Sequence, residues 1–291
     1  MRKSTYLPVL AVALGAAGFG LRRWAVSDAF EPDTGLAVSG HPSFLLLGAL
    51  TALAVVVLAL LCRGGRKLTD EECPLALSGV SPLHMTLASA AAILTILAGG
   101  AAFLDLLSLF HAVTYYDSGL LSCVNPLLLG ALAVVSGICM LILARQRYQL
   151  GKEVSFSFLP LIPAFFTCFW LIDVYRVRAS DPVILEYAWF FLADIALVLA
   201  LYCAAGFAFR NGKPFMALYW SLLAVVFALT TAADPHFLAE YLLLAAGVLW
   251  CLAQAHALLR NLEQEKLSPP PERPKSDPPE DDDDDDVDFV L

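Results

Sequence analysis

The chain has 291 residues, of which 59% are hydrophobic and only 15% charged. Soluble domains carry about 45–50% and about 25%, so the charge is too sparse to coat a water-facing surface of this size. The net charge of −9 is confined to the end: residues 1–260 carry 15 basic and 15 acidic side chains, and residues 261–291 carry 3 and 12, which excludes a basic nucleic-acid footprint.

Eight hydrophobic runs follow one another, roughly at 5–21, 43–62, 83–110, 120–144, 156–175, 185–209, 215–233 and 237–259. A crossing needs about 20 mostly apolar residues, because a helix rises about 1.5 Å per residue through about 30 Å of hydrocarbon. The expected fold is all-α and transmembrane: an eight-helix bundle over residues 1–262, then a tail over 263–291. With a cytoplasmic N-terminus, 14 basic residues fall on inner segments, and only Arg22, Arg23, Arg176 and Arg178 on outer ones. The positive-inside rule therefore places both termini in the cytoplasm. Trp24, Tyr175, Tyr187 and Tyr241 fall near expected outer ends, and Tyr6, Tyr148, Tyr219 and Trp220 near inner ones, as two interfacial belts require.

The first run begins after Arg2 and Lys3 and carries Ala11-Val12-Ala13, a small-x-small site like that of a signal peptide. It continues to Leu21 and is stopped by Arg22 and Arg23, which reads as an uncleaved span. Cleavage would leave seven spans and an outer N-terminus. Residues 22–42 form a turn-rich outer connector, with Pro32, Gly35, Gly40 and Pro42. Residues 63–82 form the longest inner connector. Gly15, Ala16, Gly18 and Gly20 in the first span, and Ala88, Ala91, Ala92, Gly99 and Gly100 in the third, allow close backbone approach. These two spans are expected at the centre. Asn125-Pro126 near the start of span four, and Pro160 and Pro163 within span five, read as kinks that free carbonyls for ions or for neighbouring side chains.

Arg22-Arg23 before Ser27-Asp28 and Glu31 parallels Arg176 and Arg178 before Ser180-Asp181 and Glu186. Arg63 to Lys67 likewise parallels Arg210 to Lys213. A parallel four-plus-four repeat explains both pairs. So does the general tendency of inner connectors to be basic and turn-rich.

The chemistry-bearing residues are intramembrane acids. Asp194 falls near mid-bilayer in span six, and Asp105 in the outer third of span three. Asp173, Glu186 and Glu240 fall near outer ends, with Arg176 and Tyr187 beside them. An unpaired carboxylate in hydrocarbon costs several kcal/mol, so Asp194 and Asp105 should face protein, protonated or partnered. Together the seven residues suggest a polar vestibule open to the outside and ending near Asp194. The structural alternative is that Asp194 bonds Tyr187, Tyr202 or a Ser/Thr hydroxyl. The seven cysteines and five histidines show no ligand spacing, so neither a metal nor another cofactor is expected. No nucleotide loop or nucleophile elbow occurs, so no enzymatic activity is expected.

The tail is Pro-rich and then runs Asp281 to Asp286, a composition that buries too little apolar area to order itself. Its last residues, Val287 to Leu291, could dock a cytoplasmic protein through an apolar end and a free carboxylate. Two functional classes follow. One is a permease for a small solute or ion. The other is a non-catalytic sensor or scaffold subunit that recruits partners through the tail. The bilayer is the one partner both share.

The stretch Leu21 to Trp24, followed by Ala29 to Leu36, resembles uncharacterised multi-spanning membrane proteins of anaerobic Gram-positive bacteria, and Asp181-Pro182 ahead of Tyr187 fits the same likeness. The resemblance implies a bacterial plasma membrane and no particular chemistry.

Overall fold

The computed structural model describes residues 3–31, 36–38, 40–63, 68–69, 72–78, 81–116, 124–149, 158–178 and 184–263; for 3–4, 105–116, 124, 149, 177–178 and 184–186 it describes the backbone alone. The acidic tail from 264 onward, and the side chains of Asp105 and Glu186, lie outside the described residues.

Eight α-helices follow in order: α1 (Lys3–Asp28), α2 (Pro42–Cys62), α3 (Pro82–Tyr116), α4 (Val124–Gln149), α5 (Leu161–Arg178), α6 (Ile184–Ala205), α7 (Pro214–Thr231) and α8 (Leu238–Leu262). Short 3-10 turns lie at Cys73–Leu75 and Gly206–Phe209. Seven helices are long and apolar enough to cross a membrane. The exception, α5, has 18 residues and carries Asp173, Arg176 and Arg178. The outer surface displays Leu45, Leu53, Val56, Leu97, Phe165 and Ile172, each at least half exposed. In water such a surface would be a large apolar patch; facing lipid it is the ordinary exterior of an integral membrane protein.

Proline marks the helix starts. Pro42, Pro82 and Pro214 are first residues of helices, and Pro126 and Pro163 lie in first turns. There an amide has no intrahelical acceptor, so proline removes nothing. This corrects the expected kinks: α5 starts at Leu161, so Pro160 precedes it and Pro163 opens it. Two other boundaries also move. α1 runs on past Arg22 and Arg23 to Asp28, because Arg22 finds a buried partner. α4 continues past Arg145 and Arg147 to Gln149.

Helices α3 to α8 form a closed ring. Each packs on the next, from α3·α4 through α7·α8, and α8 closes back on α3. α1 and α2 lie against α7, and α1 also touches α8. The most buried helices are therefore α7 and α8, not α1 and α3. The small residues instead serve pairwise seams. A Cβ on Gly137 would come within 2.9 Å of the Ala92 carbonyl, and one on Gly99 within 2.8 Å of the Gly130 carbonyl, so α3 and α4 meet backbone to backbone. The two halves do not pack alike. α6 packs extensively on α7, whereas α2 and α3, their counterparts in a four-plus-four repeat, make no contact among the described residues.

Although it is outside the seven apolar spans, α5 runs the height of the ring. Near its C-terminal end, Asp173 accepts a hydrogen bond from Asn125 at the start of α4 (3.1 Å). Pro163, in its first turn, shares a cavity lining with Leu201, near the end of α6. It is thus antiparallel to both neighbours, and 18 residues at about 1.5 Å each span about 27 Å.

Candidate functional site along the ring axis

On α6, Phe190, Asp194, Leu197 and Leu201 succeed one another at three- and four-residue steps and share one face. All four are buried. On α8 the matching face is Glu240, Leu243, Gly247 and Trp250. These faces meet across the ring. Between them, closed by α3, α4 and α5, is a cavity of about 20 Å³, room for about one water molecule. Its polar lining is Thr95, Ser136 and Thr167. Thr95 donates to the Ala91 carbonyl at 2.9 Å, and Thr167 to the Ala164 and Pro163 carbonyls at 3.0 and 3.1 Å. Their hydroxyl protons are spent on their own helices, which leaves oxygen lone pairs for the cavity.

Asp194 lies one turn from this cavity on α6. It is 1% exposed, and neither carboxyl oxygen has a hydrogen-bond partner among the described residues. Tyr202, one candidate partner, is 65% exposed on the outside of the ring. Glu240 of α8 is the charged group that acts on Asp194, so like meets like. Glu240 also accepts the Phe237 amide (3.1 Å) as a helix cap, and its Oε2 lies 3.3 Å from His236 Nδ1 without hydrogen-bond alignment. His236 Nε2 contacts the Thr231 carbonyl at 2.9 Å. A carbonyl only accepts, so Nε2 carries a proton there. The Nδ1···Oε2 contact is then attractive only if one further proton sits on the pair.

The same end holds a buried ion pair. Arg22 Nε donates to Asp234 Oδ1 at 2.6 Å, with side-chain exposures of 1% and 6%. Thr231 donates to Asp234 Oδ2 (2.9 Å), and the Tyr241 hydroxyl to the Asp234 carbonyl (2.5 Å). The pair locks α1 to the α7–α8 turn, satisfying the charges that burial leaves in need of partners.

Of the seven residues expected at the vestibule, Asp194 and Glu240 come together. Asp173 is engaged by Asn125, and Tyr187 packs edge-on against Phe191 at 5.4 Å. Arg176 is exposed. Asp105 and Glu186 are placed on α3 and α6 by their backbones alone. None of the five whose side chains are described lines the cavity. The sequence reading missed Arg22, Asp234, Thr231 and His236 as a unit. Their signal was present, since an Arg within a helical register must find an anion if that register is buried. Comparison with protein-family models, curated proteins and solved structures finds no match.

Proposed function

We propose that the chain is a permease for a small solute or ion, with eight crossings, both termini cytoplasmic and the ring of α3 to α8 as its pathway. The plasma membrane of a bacterium is the setting that the sequence resemblance supports. The observation that carries the reading is Asp194: a buried carboxyl group, without a partner among the described residues, one turn from an axial cavity. A structural acid is normally satisfied by hydrogen bonds, and an intramembrane acid costs about 3 kcal/mol even on lenient insertion scales. Retaining it bare suits a group that takes and releases a cation or proton. The lone pairs of Thr95, Ser136 and Thr167 continue an acceptor-lined route inward. Glu240, acting on Asp194 from α8, and its contact with His236 add polar groups at the outer end.

The test is flux in proteoliposomes. With an imposed sodium or pH gradient and an internal pH-sensitive dye, wild-type protein should dissipate the gradient, and Asp194→Asn should abolish the flux while remaining folded. Equal flux from both proteins overturns the role of Asp194. The second reading, a non-catalytic sensor or scaffold acting through Val287 to Leu291, is favoured by one observation: the axial cavity, with Trp170 and Trp250 in its lining, measures only about 20 Å³. Loss of a partner on deleting residues 268–291, with no flux from the intact protein, would select it.

A further inference from the structure

At the opposite end of the ring, α3, α4 and α8 bring together buried polar groups with no mutual satisfaction. Arg147 of α4 is 5% exposed. Its guanidinium carbon lies 5.8 Å from the ring centre of Trp250, and it has no hydrogen bond or ion pair among the described residues. No carboxylate among the described residues pairs with it. The indole Nε1 of Trp250 and the Oε1 of Gln254, one turn further along α8, are buried without partners. His84 of α3 contacts the Ala253 carbonyl through Nδ1 at 3.0 Å, which fixes this rung of α8 against α3. Its Nε2 is buried and unpartnered. Among the described residues, the charged groups that act on His84 are Arg147 and His256, both bases.

Arg147 is the basic residue in the last turn of α4, where a helix C-terminus gains from a cation, a gain that a water-facing side chain would supply as well. Turning Arg147 inward onto Trp250 gains a cation–π contact but leaves the buried charge without an anion among the described residues. We propose that Arg147, Trp250 and Gln254 form a binding site for a small oxyanion, a carboxylate or phosphate group, at the inner end of the ring. The guanidinium fork matches two oxygens of such a group at once. The indole N–H is a donor only; the buried Oε1 of Gln254 is an acceptor, so its amide turns over in the occupied site to aim an N–H at the anion. A lipid headgroup and a free solute share this chemistry. The site does not depend on the role of Asp194.

The test uses the full chain in phosphatidylcholine nanodiscs. Its unfolding midpoint is followed against sodium phosphate or sodium acetate, at an ionic strength matched with sodium chloride. Wild type should show a saturable rise with the oxyanion, because a ligand of the native state alone stabilises it. Arg147→Lys, which keeps the charge and loses the fork, should weaken the response about tenfold or more, the worth of one charge-assisted hydrogen bond. Trp250→Phe, which keeps the ring and loses the N–H, should also weaken it. If the occupant is a headgroup, discs containing phosphatidylglycerol should raise the wild-type midpoint without added salt, and free phosphate should then add nothing. An equal response to chloride, no response to any of these anions, or an undiminished response in both variants overturns the site.

Discussion

At the scale of single residues, buried charge separates groups that hold the fold from groups that do not. Arg22 and Asp234 are matched at 2.6 Å and supported by Thr231. Removing one partner strands the other, so Arg22→Met or Asp234→Asn should lower unfolding stability by about 3–5 kcal/mol. The double variant Arg22→Met/Asp234→Leu should cost clearly less than the sum of its single changes. Denaturation of the three proteins in one detergent checks both statements. Asp194 should behave in the opposite way. Its oxygens have no partner among the described residues, so Asp194→Leu should leave stability unchanged or raise it by about 1–3 kcal/mol, at the cost of function. A midpoint lowered by Asp194→Leu would show that the carboxyl group is structural.

At the scale of elements, the hydrophobic runs were legible because each is a continuous apolar stretch of the length a bilayer imposes. The helix ends were less so. Arg22 and Arg23 looked like a stop signal, since a local reading treats a charge as a boundary. Whether a charge can stay inside a helix depends on a partner such as Asp234, 212 positions away, which no local window contains. Pro160 and Pro163 misled for a related reason: proline is costly inside a helix and free in its first turn, and the starting residue decides which applies. Pro163→Ala should therefore change stability by no more than about 0.5 kcal/mol, the scale of a neutral substitution. A loss of about 3 kcal/mol would restore an interior role. Gly137→Ala should cost about 1–3 kcal/mol, because its Cβ would press on the Ala92 carbonyl and Ile96. Equal thermal midpoints for Gly137→Ala and wild type would remove the backbone seam between α3 and α4.

At the scale of the whole molecule, the class of the protein followed from composition, but the closed ring of α3 to α8 did not. Ring closure depends on α8 returning to α3, a contact between runs about 150 residues apart that nothing in their apolar composition records. The candidate site was half legible for the same reason. Depth in a span singles out Asp194, while its neighbours Glu240 and the Thr95–Ser136–Thr167 lining come from other helices. The ring makes the functional reading testable without a known substrate. In a cysteine-free background, Asp194→Cys and Ile195→Cys place thiols on adjacent positions of α6, one toward the axis and one on the exposed face. A membrane-impermeant, positively charged thiol reagent applied to intact cells should modify the axial thiol as the pathway opens and leave the lipid-facing one untouched. Resistance of the Asp194→Cys thiol on the timescale over which an outer control at Gly40→Cys is fully modified would contradict a solvent-connected path to this residue, and with it the permease.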